Sequence, residues 1–276
     1  MKRLYKVAGK RMLSTHEGWL LASVLSITEF FKGSKTVAEF VNSVSEKCHP
    51  PKVDDYDPPV LRQEIWGAGL TYFRSKAALT QESQYRSPYD KVYDAHRPQL
   101  FFKALAEKTV GNKSFIGIRN DSSRTVPEPE LGLVANARGV LIGYCLGNDV
   151  TARDIEAENP LYQPQAKIYI GSCALGPCIL LPDGNHKPSD WNILMRVVRS
   201  ERTLFMGQVS VGSMKRSYTE LLNFLFRHQE FPVGGVLLSG TGIVPEDDFH
   251  LVDGDIVEIE CQPIGALTNV VRRLDS

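Results

Sequence analysis

The chain has little of what would draw it to a polyanion or a bilayer. Its 32 lysines and arginines balance 32 acids, so no net field favours nucleic acid or a membrane surface. No uninterrupted apolar run approaches the roughly 20 residues that span a bilayer. The start, Met1-Lys2-Arg3-Leu4-Tyr5, has charge but no apolar segment behind it, so no secretory signal is expected. Cysteines are few and odd in number: Cys48, Cys145, Cys173, Cys178 and Cys261. No second Cys or His pair accompanies Cys173 and Cys178, which argues against structural zinc. Free buried thiols in a reducing cytoplasm are the expectation. Common motifs are missing too. Gly67-Ala68-Gly69 is followed by Tyr72 where a dinucleotide fingerprint needs glycine. A phosphate-cradling loop is absent, His16-Glu17 lacks the second histidine of a zinc protease, and no G-x-S-x-G elbow occurs. These absences set aside several large enzyme classes.

What is present suits a sizeable core, at 42% apolar residues. Leu4 to Val7 and Trp19 to Leu25 read as short strands, with Gly9 and Gly18 as turn positions. Val37, Phe40, Val41 and Val44 recur at helical spacing between Thr36 and Glu46. The Pro- and Asp-rich stretch from Cys48 to Pro59 marks a linker, dividing a small N-terminal α/β domain (1–59) from a larger one (60–276). Ile65 to Tyr72 reads as a strand entering a loop and Ser75 to Glu82 as a helix. Beyond Val126, short strands predominate: Val140 to Leu146, Ile179 to Leu181, Asn192 to Val198, Gly235 to Leu238 and Asp255 to Glu260. A helix from Tyr218 to Gln229 interrupts them, with a Ser217/Glu220 capping box and Leu221, Leu222 and Leu225 inward. The fold class is α+β, mostly β, with peripheral helices. No internal repeat is visible.

The most informative run is Val126-Pro127-Glu128-Pro129-Glu130-Leu131, with Gly147-Asn148-Asp149 further on. Flanking prolines favour extended backbone, so Glu128 and Glu130 project from one face of a strand. The apolar Leu131 to Val134 carries that strand into the core. Two carboxylates at a core edge repel and lose hydration unless a cation lies between them. Asp149, ending the next apolar segment, can supply a third oxygen, and such a set suits Mg2+ or Mn2+ better than zinc. A solvated strand face is the other reading of the two glutamates. Lys167, after a polar segment with Pro160 and Pro164, and Lys103, after Leu100-Phe101-Phe102, are either surface lysines or groups that orient substrate and move protons beside a metal.

Taken together these segments resemble the fumarylacetoacetate hydrolase family. The resemblance covers about Ile65 to Val271. It rests on Glu128/Glu130, Gly147-Asn148-Asp149-Val150-Thr151-Ala152-Arg153, Ser239-Gly240-Thr241-Gly242, Val252-Asp253-Gly254-Asp255 and Ile264-Gly265-Ala266-Leu267-Thr268-Asn269. It implies a C-terminal mixed β-roll that binds Mg2+ through Glu128, Glu130 and Asp149, in a homo-oligomer (dimer or tetramer). Val92 to Lys103, Glu158 to Lys167 and Ser172 to Pro177 are most similar to the sugar-acid branch, the 2-keto-3-deoxy-D-arabinonate (pentonate) dehydratases. That similarity implies a hydro-lyase with Lys167 beside the keto acid and Lys103, Thr241 and Thr268 among its contacts. It also implies a glutamate at position 99. Gln99 cannot ionise, and Glu156 or Glu158 is the neighbouring acid available to replace it, so Gln99, Glu158 and Lys167 are the catalytic candidates.

The chemistry so implied starts with a 2-keto-3-deoxypentonate chelating the metal through its C1 carboxylate and C2 carbonyl. An enolate forms as Lys167, its pKa expected to be lowered by the cation, takes a C3 proton. Loss of the C4 hydroxyl and tautomerisation yield 2,5-dioxopentanoate. Acylpyruvate hydrolysis, oxaloacetate decarboxylation and non-catalytic keto-acid binding are the alternatives, since fold alone does not separate them.

Overall fold

Strands β1 (Lys2–Val7), β2 (Lys10–Thr15) and β3 (Gly18–Ala22) form an antiparallel meander. Between β1 and β2, Ala8 and Gly9 both take positive φ, 45° and 75°. That is the two-residue turn whose twist matches paired strands. The computed structural model describes residues 1–52, 54–73, 75 and 91–275. Two helices follow β3. Ser23 caps α1 (Val24–Phe31) by accepting from Ser26 N, and Thr36 with Glu39 closes a full capping box on α2 (Val37–Asn42). Phe30 stacks on Phe40 with ring centroids 4.3 Å apart, joining the helices before β4 (Glu46–Cys48).

Then come β5 (Glu64–Gly69), β6 (Gln99–Leu105), β7 (Phe115–Ile118), β8 (Thr125–Val126), β9 (Pro129–Ala135), β10 (Leu141–Asp149) and β11 (Thr151–Ala152). Helices α3 (Arg153–Glu158) and α4 (Gln163–Lys167) lead to β12 (Cys173–Leu181), β13 (Asn192–Arg199) and β14 (Arg202–Ser210). Helix α5 (Tyr218–Leu225) precedes β15 (Gly235–Leu238), β16 (Ile256–Cys261) and β17 (Gly265–Arg273). The predicted helix Ser75 to Glu82 lies outside the described residues except at Ser75. Among the described residues, no helix is long and apolar enough to cross a membrane.

The architecture is mostly β with mixed sheets. One ten-stranded sheet runs β4-β3-β2-β1-β12-β10-β9-β15-β5-β6, and a five-stranded sheet runs β14-β13-β16-β17-β7. Pairs β5–β15 and β7–β17 are parallel; their neighbours are antiparallel. Strands β9, β10 and β12 are apolar on both faces because both are covered. Alternate residues of β12 go opposite ways. Ala174, Cys178 and Leu180 enter the core shared with the five-stranded sheet and α5, while Cys173, Leu175, Ile179 and Leu181 meet α1 and α2. The 59/60 boundary lies in the β4–β5 connection. Across it, β1 pairs with β12 and residues from both sides share one apolar cluster.

Helix α5 departs from its sequence reading in two ways. It stops at Leu225, with Phe226 as C-cap, and its capping box is half formed. Ser217 Oγ accepts from Glu220 N at 3.1 Å, but Glu220 Oε1 takes Arg216 Nη1 at 2.5 Å. A charge-assisted bond to guanidinium outcompetes a neutral backbone donor.

Candidate active site

Register brings the three acids together. In the β9–β10 pair Gly147 faces Glu130 and Asn148 faces Pro129, and Asp149 N donates to Glu128 O at 2.9 Å. Asp149, the last residue of β10, therefore lies beside Glu128. Glu130 is the second residue of β9, whereas Glu128 stands just ahead of that strand, in the connection from β8, and not within it as expected. Ligating oxygens of Glu128, Glu130 and Asp149 all lie within 4.8 Å of one another, and all three side chains are buried. Asn148 fixes the turn into β9 by accepting from Glu128 N at 3.1 Å.

Helix α3 brings the first cation. Arg153 Nη2 binds Glu128 Oε1 at 2.6 Å and Nη1 binds Glu156 Oε2 at 2.7 Å. The helix is pinned by Asp154, which accepts from Ser122 Oγ and Ser123 N at 2.7 Å each. The polar Asn159 to Gln165 run then folds as a short turn started by Asn159 and as α4 with Pro164 in its first turn. Lys167 ends α4 and is buried. Its Nζ lies 2.6 Å from Glu128 Oε2, 2.9 Å from Asp149 Oδ2, 2.7 Å from Thr151 Oγ1 and 3.8 Å from Glu156 Oε1.

The acids, Arg153, Glu156 and Lys167 line a cavity of about 30 Å³ together with Gln99, Phe101, Gln163, Ser75, Gly240 and Thr241. Gln99 and Thr241 thus line this space. Three expected residues do not. Glu158 is exposed: Arg153 and Glu156, three apart, share the inner face of α3, and a position two residues further points away. Thr268 lies on β17 in the other sheet, paired with Glu258, and Asn112 Oδ1 accepts from its N–H. Lys103 is 0% exposed and lies behind the site, its Nζ 2.5 Å from Asp149 Oδ1, 3.0 Å from Val150 O and 2.6 Å from Lys167 O. With its donors committed, it braces Asp149 and the backbone of Lys167 and does not reach the cavity. Arg153 and Glu156 line the cavity although sequence reasoning gave them little weight; their i, i+3 spacing after Asp149 was the available signal.

Electrostatics separates the three acids. Burial lifts the Glu130 carboxyl well above the ordinary carboxylate range, and the charges of Asp149 and Glu128 lift it further. Burial also pushes Asp149 up, but Lys103 and Lys167 outweigh it and leave Asp149 below its usual value. For Lys167, burial opposes the ammonium, yet Asp149, Glu128 and Glu156 overcome it and hold the amine above the ordinary lysine range. The depression expected of Lys167 belongs to the ion-bound site; without the ion the groups facing it are carboxylates, and they hold the amine up.

The donor set fits a hard divalent ion. Among the described residues, four buried carboxylates (Glu128, Glu130, Asp149, Glu156) face three buried cations (Lys103, Arg153, Lys167). With all ionised, one negative charge is in excess, which the raised Glu130 carboxyl relieves by holding a proton until a cation takes its place. A divalent ion reverses the sign of the excess, and a monoanionic ligand then neutralises it. Hard oxygen donors select Mg2+ or Mn2+.

A pH dependence follows. A folded Glu130 above its unfolded pKa keeps a proton that the unfolded chain has lost. From the ordinary glutamate value upward this group therefore lowers stability as pH rises, until its folded pKa is passed. Asp149 has the opposite sign: its contribution is present above the ordinary aspartate value and lost as pH falls through its depressed pKa. Ion binding must displace the Glu130 proton, so Mg2+ affinity is expected to rise about tenfold per pH unit while Glu130 is protonated. Calorimetry in buffers of different ionisation heat should register about one proton released per ion. PH-independent affinity without proton release contradicts this.

Gly240 sets the position of Glu130, its N–H donating to Glu130 Oε2 at 2.6 Å. Its φ is +92°, and a Cβ there would sit 2.1 Å from Thr71 Oγ1 and 2.8 Å from Ala68 O. Gly240→Ala is therefore expected to shift this backbone and to weaken Mg2+ binding by about 10- to 100-fold, the usual effect of losing a ligand's supporting bond. Titration calorimetry of the folded variant checks it.

Residues 64–272 match the fumarylacetoacetate (FAA) hydrolase C-terminal family. The chain belongs to the fumarylacetoacetate hydrolase family. Within the family, it is 44% identical over 213 residues to a probable 2-keto-3-deoxyxylonate dehydratase of Haloferax volcanii, covering 77% of this chain and 73% of that protein. It is 42% identical over 221 residues to the 2-dehydro-3-deoxy-D-arabinonate dehydratase of Saccharolobus solfataricus, covering 79% and 73%. A solved 2-keto-3-deoxy-D-arabinonate dehydratase complexed with magnesium and 2,5-dioxopentanoate superimposes with TM-score 0.83 at 34% identity over 100% of both chains. The apo form of the same enzyme gives TM-score 0.86.

Proposed function

We propose that this family member is a carbon–oxygen lyase that dehydrates a 2-keto-3-deoxypentonate to 2,5-dioxopentanoate with Mg2+. The observation that carries the reading is the buried carboxylate triad with Lys167 set against two of its members. Its charge balance calls for a divalent ion and a carboxylate together. Relatives named for this activity, one holding magnesium and the product, support it.

Glu128, Glu130 and Asp149 would hold Mg2+, with Mn2+ as a substitute. When bound, the ion would supply Lewis-acid charge at the substrate's 2-oxo group and would offset the carboxylates that keep Lys167 protonated. Lys167 exchanges the proton at C3, its ammonium held by Thr151, Glu128 and Asp149. Arg153 orients Glu128, and Lys103 holds the second oxygen of Asp149. Gln99 and Thr241 offer hydrogen bonds to the substrate's hydroxyls without exchanging protons. The free space beside the triad, about 30 Å³, suits an ion or a water. The alternatives left open by the sequence, acylpyruvate hydrolysis, oxaloacetate decarboxylation and non-catalytic binding, gain no support from these relatives.

The protein is further proposed to act in the cytoplasm as a homo-oligomer, with residues 1–59 as its smaller unit; its five free cysteines suit a reducing compartment. The activity is tested by incubating protein, Mg2+ and 2-keto-3-deoxypentonate and following the aldehyde proton of 2,5-dioxopentanoate by NMR. Pyruvate release would indicate carbon–carbon cleavage, and tight binding without turnover a keto-acid binder.

A further inference from the structure

Dehydration, on which this inference rests, needs protons moved at both ends of the substrate. C3 loses a proton and the C4 hydroxyl gains one, leaving as water with a C3=C4 double bond. Conversion of that unsaturated alcohol to the aldehyde then takes a proton from C5 and returns one to C3. The resulting C4=C5 enol loses its hydroxyl proton as C4 gains one, so atoms and charge balance.

Among the described residues of the cavity, outside the acid triad, two side chains carry a group strong enough to act as a general base, Lys167 and Glu156; the hydroxyls of Ser75 and Thr241 can only relay a proton. Arg153 never gives up its proton, and the amides of Gln99 and Gln163 do not ionise. Lys167 Nζ lies against Glu128 and Asp149 at 2.6 and 2.9 Å, beside the chelated end where C3 is. Glu156 sits one step further out. Its Oε2 is held by Arg153 at 2.7 Å, and its Oε1 faces Lys167 Nζ at 3.8 Å. The two proton-exchanging groups are thus side by side, as C3 and C5 are two bonds apart in the substrate.

We propose that Glu156 is a second catalytic residue, taking the C5 proton and so driving the tautomerisation that follows water loss. Lys167 serves C3 and the departing hydroxyl. A general base in this position contributes about 10²- to 10⁴-fold.

The test is Glu156→Gln, which keeps an oxygen for Arg153, followed by proton NMR in D2O with Mg2+. Deuterium entry at C3 and loss of water are expected to persist, while 2,5-dioxopentanoate formation falls by about 10²-fold or more. The unsaturated alcohol, 5-hydroxy-2-oxopent-3-enoate, should accumulate. Supplied directly, that compound should be turned over by the wild type and not by the variant, and Glu156→Asp should recover part of the rate. Undiminished product formation overturns the assignment, as does joint loss of C3 exchange and product at unchanged Mg2+ affinity. Wild-type protein that leaves the pentonate untouched overturns the dehydration itself, a result distinct from either.

Discussion

Glu130→Gln is expected to remove Mg2+ binding and turnover while leaving the metal-free protein at least as stable as the wild type. The Gly240 N–H now bonded to Glu130 Oε2 can donate equally to an amide oxygen, so the local backbone keeps its partner. No described cation touches Glu130 directly, whereas Glu128 and Asp149 are each paired with two. Replacing this carboxylate relieves like-charge repulsion in a buried place, and its loss should not unfold the chain. The ion loses one of three anionic ligands, and transition-state stabilisation by such an ion is worth several kcal/mol. Turnover should fall by about 10³-fold or more, with Mg2+ affinity at least about 100-fold weaker. Thermal melts without Mg2+ and calorimetric titration separate the two effects. Parallel loss of fold and metal contradicts this account of Glu130.

Lys167→Met acts in the opposite sense on stability. It removes a buried ammonium shared by Glu128, Asp149 and Glu156, and breaking a buried ion pair by deleting one partner costs about 3–5 kcal/mol. Metal-free variant should therefore melt well below the wild type. Mg2+ supplies the missing positive charge, so the rise in Tm on adding it should exceed that of the wild type. Turnover should fall by about 10²- to 10⁴-fold, the range for a lost proton-transfer group. A variant that keeps wild-type turnover would remove Lys167 from the chemistry. One that melts as the wild type does without Mg2+ would remove it from the charge balance.

The acid triad was legible because its signal is local: Pro-flanked glutamates in extended backbone, an apolar run behind them and an aspartate closing the next run. Strand register then decides their separation, and the β9–β10 pairing supplied it. Lys103 was misread because one sequence position says nothing of which side of a sheet its amine leaves. Only the structure shows it tied behind Asp149. Glu158 and Glu156 look equivalent in sequence, and helical periodicity separates them once α3 is placed. Edge strand β14 was passed over because its inward Phe205 and Val209 pack on the core while the exposed Leu204 and Met206 beside Phe205 blur the apolar alternation. Strand β17 hides an inward Asn269, whose Nδ2 bonds to Gly111 O and Ser114 O at 2.9 Å, interrupting the apolar pattern.

The central claim, that three carboxylates hold one hard ion onto which a 2-oxo acid docks, is most directly tested by titrating Mg2+ calorimetrically into the protein. The titration is run with and without 2-oxobutanoate, which can chelate through the same two oxygens but has no C4 hydroxyl to lose. One ion per chain is expected, bound more tightly when the acid is present, and both effects should vanish in Glu130→Gln. Absence of Mg2+ uptake under either condition, or equal uptake by Glu130→Gln, would contradict it.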